Sequence, residues 1–291
     1  MAQSSKQRAE EAVLDLKGKL RQLNNALAGK GATIAENAPL VATIKAVEGM
    51  TAQAVTMTIF KSQQFFGFVD EVLPPMRIAE GYKSANLSYC FAQNRALKSL
   101  PTIESIDMAV NVSNLASSCG SLIEVSLGAL TNATDISSAF LGCPSLTSAA
   151  IGATPKVTNA SNLFFACRSL KDVSIDLSGG LLTNFNHAFF QCSSLRRVTG
   201  LVDLSNVNSV NSPFQECSLL EEVRIKGLKV DLDLSACANL SVESVRYLIE
   251  NAQAVSGKRI DLSRALLDAH EEELGDLGDT ASDKGWAINY K

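Results

Sequence analysis

One phrase recurs along the middle of the chain and limits what the chain can fold into. From Val157 to Ile175 it reads VTNASNLFFACRSLKDVSI. NATDISSAFLGCPSLTSAAI (Asn132 to Ile151) stands before it. LTNFNHAFFQCSSLRRV (Leu182 to Val198) and VNSVNSPFQECSLLEEVRI (Val207 to Ile225) follow. The shared core is Phe, two residues, Cys, two residues, Leu, two residues, an apolar residue, one residue, then Ile or Leu. Cys119, Cys143, Cys167, Cys192 and Cys217 mark the phase, in steps of 24, 24, 25 and 25 residues. A unit this short cannot bury its apolar face alone and must stack on its neighbours.

The pattern inside one unit predicts its shape. In the third unit the inward positions are Cys143, Leu146, Ala149, Ile151, Val157, Ala160, Leu163 and Phe164. Leu146 to Ile151 ends in period-two alternation and reads as a short strand. Stacked on Leu122–Leu127, Leu170–Ile175, Leu195–Val198 and Leu220–Ile225, it builds a parallel sheet. The second half of each unit, as in Val157 to Phe164, sets Asn and Ser between apolar residues, and predicts a turn or short irregular helix. The first unit lacks the cysteine: Phe91, Asn94, Leu97, Leu100 and Ile103 match the core, with Asn94 in the Cys position. Asn and Cys both satisfy loop backbone groups inside a coil. Cys90, out of phase, aligns with the small residue before Phe and reads as a plain buried side chain. The expected fold class is therefore an α/β-type solenoid: a leucine-rich repeat array of about six coils, with a stacked parallel sheet.

The flanks suggest four segments. Residues 1–50 read as a helical anchor or oligomerisation segment. Ala9, Val13, Leu16, Leu20, Leu23 and Leu27 form an a/d seam, which either self-associates as a short coiled coil or packs on the chain's own next segment. Leu40, Ile44 and Val47 mark a second amphipathic piece over 38–48. Residues 51–86 read as a β-rich cap or connector, with strands within Thr51–Val72, one arrangement being a hairpin, and a cluster of Phe60, Phe65, Phe66 and Phe68. Residues 87–240 hold the array. Residues 241–291 read as an α/β C-terminal cap: a helix from Val242 to Ala252 behind Ser241, a strand at Lys258–Leu262, a second helix from Ser263 to about Leu274, and a strand at Gly285–Ile288. Trp286 is expected to plug the last coil.

Composition excludes several classes. Hydrophobic residues are 46% and charged residues 19%, which suits an ordered chain rather than a disordered one. The net charge of −4, with no basic stripe, argues against nucleic acid as a partner. No apolar run is long enough to span a bilayer, and the charged N-terminus shows no secretory signal. Seven cysteines, five of them once per repeat, form no disulfide framework and read as reduced, buried thiols. They lack metal-ligand spacing. The two histidines, His187 and His270, stand apart, Asp231 and Asp233 alone do not make a calcium site, and no phosphate loop or nucleophile motif occurs. No catalytic, cofactor-binding or metal-binding residue is expected.

What remains is surface. The residues alternating with inward Val and Ile on the strands form a ladder on the sheet face: Glu124 and Ser126, Ser148 and Ala150, Asp172 and Ser174, Arg197 and Thr199, Glu222 and Arg224. Regular faces of this kind are what repeat arrays use for partners, and the alternative is a merely solvated face.

SSAFLGCPSL (137–146), SNLFFACRSL (161–170) and NHAFFQCSSL (186–195) resemble the BspA-like leucine-rich repeats of bacterial surface and phage-associated proteins, over about Leu87 to Leu240. NLSVESVRYLIENAQ and DKGWAIN are similar to the helical ending of such arrays. LKGKLRQLNNALAGKGATIAENAPLVATIKAV is similar to the start regions of phage tail-type and other virion proteins. The resemblance implies a non-enzymatic binding and display scaffold. It implies a bacteriophage virion structural protein, a fibre or tail-associated subunit located in the virion. Its expected partners are further copies of itself (a trimer by preference), other virion proteins, and a host-surface glycan or protein. The alternatives are a bacterial cell-surface adhesin and an intracellular protein-interaction module.

Overall fold

The computed structural model describes residues 57–59, 73, 75–78 and 84–291. The seam of Val13, Leu16, Leu20, Leu23 and Leu27, the piece over 38–48 and the Phe60–Phe68 cluster lie outside the described residues.

Period-two alternation puts one strand in each repeat. After short strands β1 (Met57–Ile59), β2 (Met76–Ile78), β3 (Ala85–Asn86), β4 (Ile103–Glu104) and β5 (Ala109–Asn111) come β6 (Glu124–Leu127), β7 (Ser148–Ile151), β8 (Asp172–Ser174), β9 (Arg197–Asp203) and β10 (Glu222–Lys226). The last five form one sheet in the order β10-β9-β8-β7-β6. Every neighbour is parallel, and Val125, Ala149, Val173, Val198 and Val223 align in one row. This is a leucine-rich-repeat-type arrangement, one parallel strand per repeat. Upstream, β1 pairs parallel with β2, and β2 pairs parallel with β4; apart from β1, the stretch 51–72 expected to hold a hairpin lies outside the described residues.

The interior is built from columns of like residues. All eight inward positions of the third unit are buried. Phe140, Phe164, Phe189 and Phe214 stack with ring centroids 5.3, 5.5 and 5.4 Å apart, an arrangement that adds to their area burial. Beside them runs the thiol column. Each Sγ–H donates to a backbone carbonyl of the preceding coil: Cys119 to Phe91 at 3.0 Å, Cys143 to Ala116 at 3.2 Å, Cys167 to Phe140 at 3.0 Å, Cys192 to Phe164 and Cys217 to Phe189, both at 3.1 Å. All seven cysteines are free and buried. Burial pushes the Cys90, Cys119 and Cys217 thiols up to about 12, so they stay protonated. Asn94, in the Cys position, instead satisfies amides of its own coil: its Oδ1 accepts from Ala96 and Leu97 at 3.2 Å.

Opposite the sheet each coil turns without a helix. Two residues per coil sit at positive φ, as in Asn114 and Ser118, Asn162 and Ala166, His187 and Gln191, and left-handed residues interrupt any helical run. Asn111, Asp135, Asn159 and Asn184 form a parallel bridge ladder here. Their Oδ1 atoms accept the amides of Ser113, Ser137, Ser161 and Asn186, two residues on, which is an Asx turn repeated coil after coil.

The downstream edge of β10 is covered rather than open. Helix α1 (Val242–Glu250) starts at Ser241, whose side chain accepts from the Ser244 amide. Ser244 Oγ in turn accepts the Val223 amide at 3.2 Å. Beyond it β11 (Leu232–Asp233), β12 (Lys258–Leu262) and β13 (Trp286–Tyr290) form a separate parallel sheet. The single helix expected after Ser263 is two, α2 (Arg264–Ala269) and α3 (Glu271–Asp283), and Ser263 makes no side-chain cap. His270, at φ −141° and ψ 41°, breaks the run, and Glu271, Glu272 and Glu273 fill the first turn of α3, where negative charge favours a new helix start. Trp286 is buried, and its Nε1–H donates to Gln253 O at 2.8 Å.

Candidate ligand face on the strand ladder

Alternation on a strand sends every second residue to the outer face, and parallel register turns those residues into rows. Glu124, Ser148, Asp172, Arg197 and Glu222 lie side by side in one row; Ser126, Ala150, Ser174 and Thr199 lie in the next. The sequence-predicted face is therefore brought together as two adjacent rows. Glu124, Ser126, Ser174, Arg197, Thr199 and Arg224 are exposed, and Asp172 and Glu222 are half-buried. Arg224 departs from the second row. The register shifts between Val223 and Ile225, opposite Gly200 at φ +100°. A Cβ there would fall 2.1 Å from Ile175 O, so the bulge needs glycine.

The rows have a definite electrostatic layout. Arg197 Nε pairs with Asp172 Oδ1 at 2.8 Å across one strand spacing. Arg224 lies over the Tyr247 ring, 5.8 Å from its centroid, within cation–π range. Between β6 and β9 the small side chains leave a shallow trough of about 310 Å³, whose floor includes Ser126, Ser148, Ala150, Ser174 and Thr199. A second hollow of about 290 Å³ lies where this face meets α1, beside Arg197, Glu222, Arg224 and Tyr247.

His187, Asp231 and Asp233 have partners of their own. His187 stands edge-on to Phe165 and Phe190. Asp231 Oδ1 accepts the Arg259 amide at 3.0 Å. Asp233 accepts the Ser235 amide and faces Lys291. Among the described residues no three His, Cys, Asp or Glu side chains converge as a metal site.

Sequence reasoning missed a second repeated phrase, Asp-Leu-Ser, at 176–178, 203–205, 233–235 and 261–263. In the first three the Asp Oδ1 accepts the Ser amide two residues on. Asp203 and Asp261 are buried. Asp261 meets Lys291 Nζ at 2.6 Å and Asn289 Nδ2 at 3.0 Å. The recurrence of the phrase was the available signal.

No family model and no curated protein matches the chain. A solved structure of a leucine-rich repeat protein from Bacteroides ovatus ATCC 8483 is similar at 14% identity, over 81% of this chain and 83% of that one, with a TM-score of 0.20. The leucine-rich-repeat-type arrangement is given by the parallel pairing of β6 to β10 itself.

Proposed function

We propose that the chain is a non-enzymatic structural protein of a bacteriophage particle, a fibre or tail-associated subunit that displays a leucine-rich repeat solenoid. In this reading residues 1–50 anchor and oligomerise the chain, 51–86 connect, 87–240 form the solenoid and 241–291 cap it. The displayed sheet face touches the host surface. The observation that carries the binding role is a contrast between the two faces of one sheet. Inward, Val125, Ala149, Val173, Val198 and Val223 repeat one small apolar type; outward, the same strands carry Glu124, Ser148, Asp172, Arg197 and Glu222. The fold demands the first row and not the second, so the second is available for a partner. The virion role is supported by the resemblance of the N-terminal segment and by its apolar seam.

Two measurements test this. Light scattering of the full chain is expected to give a trimer mass, reduced to a monomer by Leu16→Asp with Leu23→Asp. Antibody labelling of purified phage particles is expected to mark the tail or fibres. A strictly monomeric chain at high concentration removes the oligomer. An open reading frame lying among cell-envelope genes, with particles left unlabelled, favours the bacterial adhesin instead.

A further inference from the structure

The trough between β6 and β9 has a chemistry narrower than "binding face". Its outward lining is Glu124 and Asp172 together with the smallest outward side chains on the sheet, Ser126, Ser148, Ala150, Ser174 and Thr199. Alanine is depleted in strands, so Ala150 is not there for strand propensity; it leaves room. The hydroxyls of Ser126, Ser148 and Ser174 have no hydrogen-bond partner among the described residues, and Thr199 Oγ1 donates to Val173 O at 3.3 Å while keeping its acceptor capacity. Each free hydroxyl offers one donor and two acceptor lone pairs. They recur at one-strand or two-strand intervals, with strands about 4.8 Å apart.

Three partner classes fit this floor poorly. Protein interfaces anchor through aromatic side chains, Met and Arg in pockets, and are depleted in Ser, Ala, Glu and Asp; the floor has the depleted set. A polyanion needs uncompensated positive charge, but Arg197 is paired with Asp172 and Glu124 stands exposed at the upstream end. An apolar ligand would leave the free hydroxyls unmatched at a desolvation cost. A chain that is neutral, extended and itself covered in hydroxyls matches on every count.

We infer that the β6–β9 trough takes a linear, uncharged oligosaccharide laid across the strands. Its hydroxyls would exchange donor and acceptor roles with Ser126, Ser148, Ser174 and Thr199. This rests on the sheet face being the displayed binding face. No aromatic ring is among the residues lining the trough, so recognition here is by hydroxyl pairing rather than by stacking.

The test uses the full chain on an array of immobilised linear hexasaccharides: cello-, chito-, malto- and β-manno-oligomers, with a sulfated hexasaccharide for comparison. Titration calorimetry follows any hit. Binding to at least one neutral series, and none to the sulfated one, is expected. Ala150→Trp fills the floor at an exposed position and should weaken that binding by more than about tenfold, or 1.4 kcal/mol. Ser174→Ala removes one hydroxyl and should weaken it several-fold, which keeps the test open should the Trp variant misfold; thermal melting checks both. Binding to no neutral oligosaccharide, tighter binding of the sulfated one, or binding unchanged in both variants overturns the inference. Attachment to host cells separates this from the wider reading. If Ala150→Trp abolishes attachment while no saccharide binds, the face stands and the ligand class is wrong. If folded Ala150→Trp attaches like the parent, the face itself is wrong.

Discussion

The turns carry a conformational cost that can be measured one residue at a time. In the second left-handed position of successive coils stand Gln93, Ser118, Gly142, Ala166, Gln191 and Glu216, all at positive φ. Only Gly142 is free of the steric penalty, roughly 1–2 kcal/mol for an L-residue. Ala166 has no polar side chain to offset it. Ala166→Gly removes the strain but restores about 0.4–1 kcal/mol of unfolded-chain entropy, so a net gain between about 0 and 1.6 kcal/mol is expected. Gly142→Ala is the matched opposite. A Cβ there meets nothing nearer than Ser118 Oγ at 3.7 Å, so φ alone decides, and a loss of similar size is expected. Paired denaturant melts read both. A shift of the same sign in the two variants would mean that packing, not φ, governs the column. At this scale the interior is legible in the sequence, because Cys, Phe and Leu recur at constant spacing and burial is what that spacing enforces. The partners of the thiols are not legible in detail. Spacing says that Cys167 points inward; it does not say that its Sγ–H reaches Phe140 O in the previous coil.

Between elements the open question for any parallel stack is its last edge. A bare strand edge presents unpaired amides and carbonyls. Here α1 closes it through Ser241 and Ser244: Ser241 Oγ and Ser244 Oγ lie 2.9 Å apart, Ser244 Oγ takes the Val223 amide, and the Ser241 amide donates to Glu221 O. Ser244 is buried, so Ser244→Ala leaves the Val223 N–H without an acceptor. That should cost about 1–3 kcal/mol and speed hydrogen exchange at Val223 more than at Val173, inside the sheet. Equal exchange at the two amides in the variant would show that the helix does not seal the edge. Ser241 as a cap is readable from a polar residue before an apolar-periodic run. Ser244 is not, since on a helix its second acceptance is a matter of which strand lies beneath it. The break at His270 escapes sequence reading for a related reason: Leu266, Leu267 and Leu274 suggest one helix, while three successive Glu mark the start of another.

Across the molecule, the columns of coils and the C-terminal sheet are held by different chemistry, and pH separates them. The repeat interior is Phe, Leu, Val and protonated thiols. Among the described residues the buried carboxylates are Asp203 and Asp261, and with Asp233 they gather toward β9–β13. Burial opposes the charge on each of the three, yet all are held below the ordinary Asp range. Ser205 and Lys226 do this for Asp203, Ser235 and Lys291 for Asp233, and Lys291 and Asn289 for Asp261. These carboxylates are hard to find by sequence phase because Asp-Leu-Ser recurs at uneven intervals of 27, 30 and 28 residues, out of step with the cysteines. The sign of the linkage follows. With folded pKa values below the unfolded one of about 3.9, the unfolded chain binds more protons in that interval, so stability rises with pH there. The contribution is complete above the unfolded value and is lost as pH falls below about 4 through the folded values. Repeat arrays open locally, unit by unit. Acid should therefore loosen β12 and β13 while β7 and β8 stay protected. Hydrogen exchange from pH 5 down to pH 3, corrected for intrinsic rates, is expected to show protection lost first at Ile260 and Ile288 and last at Ala149 and Val173. Asp261→Asn should flatten the acid dependence at β12 without touching β7. Uniform loss along the chain, or loss starting in the Phe column, would mean that the carboxylates do not set the weak end.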